Sequence, residues 1–276
     1  SLLLNDDILY LGMIGGMNVY DLSNPCAPSL VGTFRDPAGR YWDYPQKCES
    51  LYEWRVPGQE YQRMDLMDFP DGRRILVGGC DTNGIILVDV TNPGNPGLFD
   101  HIFTTPTVEI EGSDARKKKY IEWGVCCEYP YIYTSVASLH SLVHNDYFSG
   151  KYTPRNWTPD AYGIKVYDIS DTTAVRDTLI LVPRKFFPTH IAPEGDSCPN
   201  EISRIGDKLY LNFSEYGVAV FNADGFDSSF EGIIDLPGTG RVRCTCPTAK
   251  GGLVVGDGAI FGPWQDCNVY LLRPSD

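Results

Sequence analysis

Apolar and polar residues alternate along this chain in a phrase that recurs several times. The phrase begins with glycine, alternates through a short apolar stretch to an acidic residue, and ends in its best copies with Asn-Pro. Copies occupy residues 16–25, 84–93 and 163–171, with weaker ones at 217–222 and 268–273. A period of two predicts a β-strand that buries one face, and its repetition predicts a repeat architecture.

The acidic residue at the end of each strong copy is Asp21, Asp89 or Asp168. Proline cannot continue a strand ladder, so the chain turns directly after this acid. We expect the carboxylate to accept backbone N–H groups of the turn. Because the same residue type recurs in every strong copy, a structural role is favoured over a metal-binding or catalytic one.

Each phrase is accompanied by further short apolar segments that read as strands. One precedes the phrase, one follows it, and a shorter inner segment lies upstream, at residues 1–4, 51–54, 120–124, 201–204 and 242–245. Four strands per unit and about five units predict an all-β fold, a β-propeller of about five four-stranded blades. Irregular spacing places the extra residues in long loops, at residues 57–74, 103–119, 138–162 and 184–199.

The whole chain, residues 1–276, is expected to form a single propeller domain. Its last unit stops after a third strand. Three explanations stay open: the N-terminal segment completes the last blade, the chain is part of a longer one, or the last blade has three strands.

The phrase Gly-apolar-apolar-x-Val-Asp-Val-Ser/Thr-Asn-Pro-x-x-Pro resembles the LVIVD-repeat family. Residues 84–96 fit this pattern best, and residues 16–28 fit nearly as well. The resemblance implies a β-propeller of extracellular or envelope type. It implies no catalytic residues, because the motif is structural.

Charge and composition exclude two classes of partner. The formal net charge is −13, which disfavours binding to nucleic acid. The sequence lacks an apolar stretch long enough for a membrane-spanning helix, so membrane insertion is not expected. No cofactor is required by the sequence, and a bound metal ion remains an alternative.

Cysteine content points to an oxidising compartment. Disulfides are favoured over a soft-metal site for Cys26, Cys48, Cys80, Cys126, Cys127, Cys198, Cys244, Cys246 and Cys267. Six of them fall at or near predicted inner strands and are expected to converge at one mouth of the channel. Asn156 and Asn212 begin N-glycosylation sequons. Together these features predict a secreted or cell-surface protein.

The longest predicted loop, residues 138–162, carries the best candidate ligands. If this segment forms a helical turn, His140 and His144 share a face and Asp146 adds an oxygen donor, which makes them the best metal-site candidates. The alternative is two loop histidines without a ligand, one of them packed on an aromatic ring. Tyr147, Trp157 and Tyr162 belong to an aromatic cluster in the same loop, which either packs back onto the blades or forms a recognition surface for a glycan or a protein.

The function that these features favour is a non-catalytic extracellular propeller. It would act as a binding or structural module and contact other protein chains of a larger assembly. One alternative is a metal-dependent enzyme with its active site at the axial mouth. Another is a carbohydrate-binding propeller, which requires exposed aromatic rings.

Overall fold

A computed structural model describes ten segments of the chain. They are residues 1–13, 15–37, 63–79, 84–102, 119–139, 162–186, 201–213, 217–236, 242–257 and 269–273. Strands dominate these segments, together with the short 3-10 helices Arg184–Phe186 and Gly225–Asp227. In the described part of the chain, no helix has the length and apolar character to cross a membrane.

The nineteen strands form five antiparallel sheets. The first contains β1 (Leu2–Asn5), β2 (Ile8–Met13), β3 (Gly16–Asp21) and β4 (Ser29–Arg35). The second contains β5 (Arg63–Asp68), β6 (Arg74–Gly79), β7 (Ile85–Asp89) and β8 (Gly97–Ile102). The third contains β9 (Lys119–Glu128), β10 (Tyr131–Leu139), β11 (Tyr162–Asp168) and β12 (Arg176–Leu181).

The fourth and fifth sheets complete the series. The fourth contains β13 (Ile202–Ile205), β14 (Lys208–Asn212), β15 (Val218–Asn222) and β16 (Phe230–Ile234). The fifth contains three described strands, β17 (Val242–Pro247), β18 (Leu253–Asp257) and β19 (Val269–Leu272). Strands follow one another in chain order within each sheet, so every sheet is one blade, and the predicted five-bladed β-propeller is confirmed.

Apolar cores between consecutive blades hold the propeller together. Tyr10 and Val19 of the first blade pack with Leu76 and Val88 of the second. Equivalent cores join the second blade to the third, the third to the fourth and the fourth to the fifth. Each blade is therefore covered on one or both of its sheet faces by its neighbours, as stacked sheets require.

The repeated acid of the phrase makes the hydrogen bond expected from the sequence. Oδ1 of Asp21 accepts the backbone N–H of Ser23 at 2.7 Å, and Asp89 accepts that of Thr91 at 2.9 Å. Asp168 accepts the N–H of Ser170 at 2.9 Å. Hydrogen bonds from Ser23 lower the pKa of Asp21, because they favour its ionised form.

One strand assignment made from the sequence is wrong, and one of the three alternatives for the last blade is not observed. Residues 63–68 were placed in a loop, whereas they form β5, the inner strand of the second blade. The segment at 51–54, predicted to be that inner strand, lies outside the described residues. The N-terminal segment is the inner strand β1 of the first blade, where the N–H of Gly12 donates to the Ser1 carbonyl at 2.9 Å. It therefore does not complete the fifth blade.

The contact between the first two blades generates a prediction about Gly32. A Cβ added at Gly32 of β4 would overlap the carbonyl oxygen of Pro93, in the turn of the second blade. Gly32→Ala should therefore lower the free energy of unfolding by ~1–3 kcal/mol, measured by urea denaturation.

Gly97 of β8 provides the matched control, since a Cβ there meets nothing within 4 Å. Gly97→Ala should change the free energy of unfolding by no more than about 0.5 kcal/mol. Equal effects of the two substitutions would contradict this packing of the Pro93 turn on β4.

Candidate functional site

The inner strands β5, β9, β13 and β17 lie around the propeller axis, and carboxylates connect them. Oδ2 of Asp65 in β5 accepts the backbone N–H of Cys127 in β9 at 2.8 Å. Oε2 of Glu201, just before β13, accepts the N–H of Thr245 in β17 at 2.7 Å. An inner strand is a sheet edge, and its N–H groups need partners outside their own sheet. Side chains of the preceding blade supply those partners.

The backbones of β9 and β13 approach each other closely, and at this point the contact does not use a carboxylate. A Cβ added at Gly124 would lie 2.8 Å from the backbone nitrogen of Ile202. The Gly124 N–H donates to Oγ of Ser135 at 2.7 Å, which satisfies this group within the third blade. Glycine at this position therefore allows the third and fourth blades to meet at the axis.

An axial cavity of about 790 Å³ opens between these inner strands. Its polar lining comes from several blades and includes Asp65, Cys127, Glu128, Ser203 and Arg204. Arg204 forms an ion pair with Glu128, across the contact between the third and fourth blades. The cavity lining is therefore mixed, with Arg204 paired to Glu128 and Asp65 hydrogen-bonded to the Cys127 backbone.

A second ion pair crosses the axis. The Arg63 guanidinium of the second blade contacts the Glu201 carboxylate of the fourth, so it connects two blades that are not adjacent. Burial raises the pKa of Glu201, and the positive charge of Arg63 partly opposes this change. Burial likewise raises the pKa of Asp65, and the hydrogen bond from the Cys127 backbone acts in the opposite direction.

The thiols at the cavity are poor nucleophiles. Burial, followed by the nearby Asp65 carboxylate, raises the pKa of both Cys126 and Cys127 well above the usual value. The Cys127 thiol donates to Oδ2 of Asp65 at 3.5 Å. Thiolates are the reactive and metal-binding form of cysteine, so protonated thiols disfavour both roles at neutral pH.

A buried polar network lies in the third blade, away from this cavity lining. The Glu122 carboxylate is fully buried and accepts hydrogen bonds from the hydroxyls of Tyr167, at 2.7 Å, and Thr134, at 2.8 Å. The ammonium of Lys165 lies 3.8 Å from Glu122 and 3.1 Å from Asp177. Burial raises the pKa of Glu122. These groups satisfy one another inside the blade and present no open site.

Exposed apolar side chains mark the outer faces of the first and last blades. In the first blade Leu2 and Leu4 are 68% and 61% exposed, and Leu30 lies on the same face. In the fifth blade Val269 and Leu271 are 76% and 54% exposed. Among the described residues, no apolar core joins these two faces in the way that cores join the other blades.

The nine candidate disulfide cysteines divide into two groups. Cys26, Cys126, Cys127, Cys244 and Cys246 are free thiols in the structure. Disulfides at these positions, expected from the sequence, are therefore not seen. The remaining four, Cys48, Cys80, Cys198 and Cys267, lie outside the described residues.

The expected convergence of cysteines at one mouth does not hold for the described ones. Cys126 and Cys127 line the axial cavity, whereas Cys244 and Cys246 are exposed and outside its lining. Successive residues of a strand point to opposite faces, so Cys126 packs toward the fourth blade and Cys127 toward the second.

Two further candidates prove to be core residues. Tyr162, proposed for recognition, is 1% exposed and its ring packs edge-on against Phe213 at 5.0 Å between centroids. Asn212, proposed for glycosylation, is completely buried, and its Oδ1 accepts the backbone N–H of Glu201 at 3.0 Å. A glycan on Asn212 is incompatible with this fold, because the side chain has no access to solvent.

The other predicted site residues lie outside the described part of the chain. They are the metal candidates His140, His144 and Asp146, the aromatic residues Tyr147 and Trp157, and Asn156. Within the ten described segments, no group of three or more His, Cys, Asp and Glu side chains is arranged to hold a metal ion.

Sequence reasoning did not single out several residues that form the axial site. Asp65 lay in a stretch assigned to a loop, and its partner Cys127 is distant in sequence. Ser203 and Arg204 carried no motif. The alternation of Met64 and Leu66 with charged neighbours was the signal that would have placed Asp65 in a strand.

Comparison with known families agrees with the repeated phrase. The family model described as LVIVD repeat matches residues 3–36 and 79–104. The two matched stretches, in the first and second blades, are similar to this repeat. The first match covers the four strands of the first blade from Leu3 onward, and the second covers β7 and β8. In both, the LVIVD phrase forms the third strand and the turn that follows it.

One solved structure is distantly similar to this propeller. The endo-arabinase from Bacteroides thetaiotaomicron VPI-5482 is 11% identical, with a TM-score of 0.47, over 100% of this chain and 93% of that chain. At that distance the likeness supports no statement about activity or substrate. No curated protein shows significant sequence similarity to the chain.

Burial of the thiols predicts which cysteines react in the native protein. Cys26, Cys244 and Cys246 are exposed and should be alkylated by iodoacetamide in buffer, whereas Cys126 and Cys127 should react only after unfolding. Peptide mass mapping distinguishes the five sites. Rapid native alkylation of Cys126 or Cys127 would contradict the packing of β9 between its neighbours.

The Asp65 carboxylate predicts a pH dependence of stability. Its folded-state pKa is raised above 3.8, so the native protein keeps this proton where the unfolded chain has lost it. The stability contributed by Asp65 is therefore fully present below pH 3.8 and is lost as the pH rises through the folded-state pKa.

Asp65→Asn removes this titration. The difference in unfolding free energy between wild type and Asp65→Asn should shift in favour of wild type as the pH falls from 7 towards 4, by urea denaturation. Asp21→Asn is the comparison variant. Because the pKa of Asp21 is lowered, the corresponding difference in unfolding free energy should shift against wild type as the pH falls. A difference independent of pH for Asp65→Asn would show that this carboxylate is not buried against β9.

Proposed function

We propose that this LVIVD propeller is a non-catalytic binding module of a larger extracellular assembly, whose partners are other protein chains. The observation that carries the proposal is the apolar outer face of the first blade. The face combines Leu2, Leu4 and Leu30, all more than half exposed. Contiguous exposed apolar surface on a folded domain is characteristic of protein–protein contact.

The register of the first blade makes these residues one continuous surface. Leu2 pairs with Leu11 and Leu4 pairs with Leu9, so all four side chains share a face. Leu9 pairs in turn with Tyr20, and Tyr20 with Leu30. The apolar row therefore extends across all four strands, which is the arrangement that another protein surface can cover.

Chemistry at the axial cavity favours binding over catalysis. Both Asp65 oxygens accept hydrogen bonds, from Leu66 at 2.8 Å and from Cys127. The Cys127 thiol is protonated at neutral pH, and Arg204 is paired with Glu128. Groups engaged in this way hold the blades together and fix the cavity walls.

The test is gel filtration of the tagged protein, taken from the secreted or cell-surface fraction of the cells that naturally produce it. Tagged wild-type chain should elute from a gel-filtration column well above its own mass of 30.8 kDa. The double variant Leu4→Lys, Leu30→Lys should elute as the free chain, because two ammonium groups cannot be covered by an apolar partner surface. Leu98→Lys, at an exposed leucine of β8, is the control and should behave as wild type.

Two results would contradict the proposal. One is a wild-type chain that elutes at 30.8 kDa from the secreted or surface fraction. The other is a chain confined to the interior of the cell. If the free chain also retains stoichiometric metal after gel filtration, the metal-dependent enzyme becomes the better interpretation.

A further inference from the structure

The axial cavity opens at the end of the channel where the first and second strands of each blade are joined. Neighbouring strands are antiparallel, so these turns lie at one end, and the connections between second and third strands lie at the other. Glu128, Asp207 and Pro247 line the cavity and stand in or beside such turns. The turns between first and second strands are described in all five blades. The mouth of the cavity therefore lies where no undescribed segment joins the described strands.

Asp65 is a carboxylate in the cavity wall that lacks a cationic partner. It is half-buried, and it accepts the N–H groups of Leu66 and Cys127. An ionised carboxylate has about four acceptor sites, so it can accept further hydrogen bonds. In the described part of the chain, no ion pair to Asp65 is found, and only hydrogen bonds oppose the rise in its pKa that burial causes. A positively charged ligand would supply the partner that buried carboxylates normally have.

Negative charge predominates around the whole cavity. Its charged lining consists of three carboxylates and one guanidinium, those of Asp65, Glu128, Asp207 and Arg204. The guanidinium is already paired with Glu128, and the nearby Lys208 ammonium contacts Glu231. The formal charge of the chain is −13. The cavity therefore attracts cations and repels anions.

We propose that the axial cavity binds a small alkylamine, whose protonated primary amino group donates hydrogen bonds to the Asp65 carboxylate. The alkyl chain lies against the apolar part of the lining, which includes Met64, Ile202 and Pro247. The site is separate from the apolar face of the first blade. It therefore adds a ligand to the proposed protein contact and does not depend on that contact.

Other classes of ligand fit this lining less well. The volume of about 790 Å³ lies within the range of roughly 300–1,000 Å³ that is typical of sites for small organic molecules. A metal ion needs several ligands, and no suitable group of three is found among the described residues. Quaternary ammonium compounds are recognised by aromatic cages, whereas no aromatic residue is among the described residues of the lining. A primary ammonium group matches Asp65 because it has three N–H donors.

The test is a titration of the wild-type protein with n-hexylammonium at pH 7, followed by NMR of 13C-labelled methionine methyl groups. The chain has four methionines, and Met64 is the one in the cavity lining. Its signal should shift in a saturable way. Met13 of β2 in the first blade lies outside the lining, so its signal should stay in place and serves as the internal control.

Probes with the same alkyl chain isolate the contribution of the ammonium group. Hexylammonium should bind about tenfold or more tightly than 1-hexanol, because a charge-assisted hydrogen bond is lost in the alcohol. It should exceed hexyltrimethylammonium by a similar factor, about tenfold, since that cation has no N–H to donate. Hexanoate should give no saturable shift.

A primary ammonium on an alkyl chain also occurs in the lysine side chains of proteins. Lysine capped at both ends by amide groups distinguishes this source from a free amine. We expect hexylammonium to bind more tightly than capped lysine, because the apolar lining then covers its whole chain. Tighter binding of capped lysine would assign the cavity to a lysine of another protein and would overturn the assignment to a small amine.

A pair of variants in β5 tests the role of Asp65. Asp65→Asn should weaken hexylammonium binding about tenfold or more, since it removes the charge and keeps the size of the side chain. Asp68→Asn removes one charge from an exposed position of the same strand outside the lining, and it should leave binding within about twofold. The probe series uses the wild-type chain, so the test holds even if Asp65→Asn lowers stability.

Four results would overturn the proposal. Equal binding of hexanol and hexylammonium would mean that the cavity recognises only the alkyl chain. Preferential binding of hexanoate would identify an anion site at Arg204. Unchanged affinity in Asp65→Asn would place the ammonium group at another carboxylate. Absence of a saturable Met64 shift at tens of millimolar hexylammonium, on the order of the weakest specific binding, would exclude the site.

Discussion

Every blade of this propeller has two sheet faces to cover, and that requirement organises the rest of the structure. Four apolar cores join the five blades in sequence, and each takes side chains from both neighbours. Burial of this kind is the main favourable contribution to folding. The outer faces of the first and fifth blades lie at the two ends of the series. Leu2, Leu4, Val269 and Leu271 are exposed there, so the packing rule that builds the fold also accounts for where these exposed apolar side chains lie.

At the axis, a different requirement applies, because the inner strand of each blade has an unpaired edge. Asp65 and Glu201 supply acceptors for N–H groups of the neighbouring inner strands, and Gly124 allows backbone contact without a side chain. Buried backbone donors need such partners. The polar appearance of the axial cavity thus follows from the way in which the blades are joined.

Local patterns were readable from the sequence, and contacts between distant segments were not. The phrase ending at Asp89 contains its own hydrogen-bond partner two residues later, so its turn could be predicted. Asp65 and Cys127 are separated by 62 positions, and only the stacking of blades brings them together. β5 was missed because its alternation is interrupted at Met67. Asn212 and Tyr162 matched a sequon and an aromatic cluster, but whether they are exposed depends on packing between the third and fourth blades.

The central claim is that the terminal faces of the propeller are exposed in the free chain and covered in its assembly. Carbene footprinting with mass spectrometry measures this directly, by comparing the labelling of Leu2, Leu4 and Val269 in the two states. The account predicts strong labelling of these residues in the isolated protein and clear protection in the native complex, with buried Leu76 and Val88 unlabelled in both. Equal labelling of the terminal faces in the two states, or protection already present in the isolated chain, would contradict it.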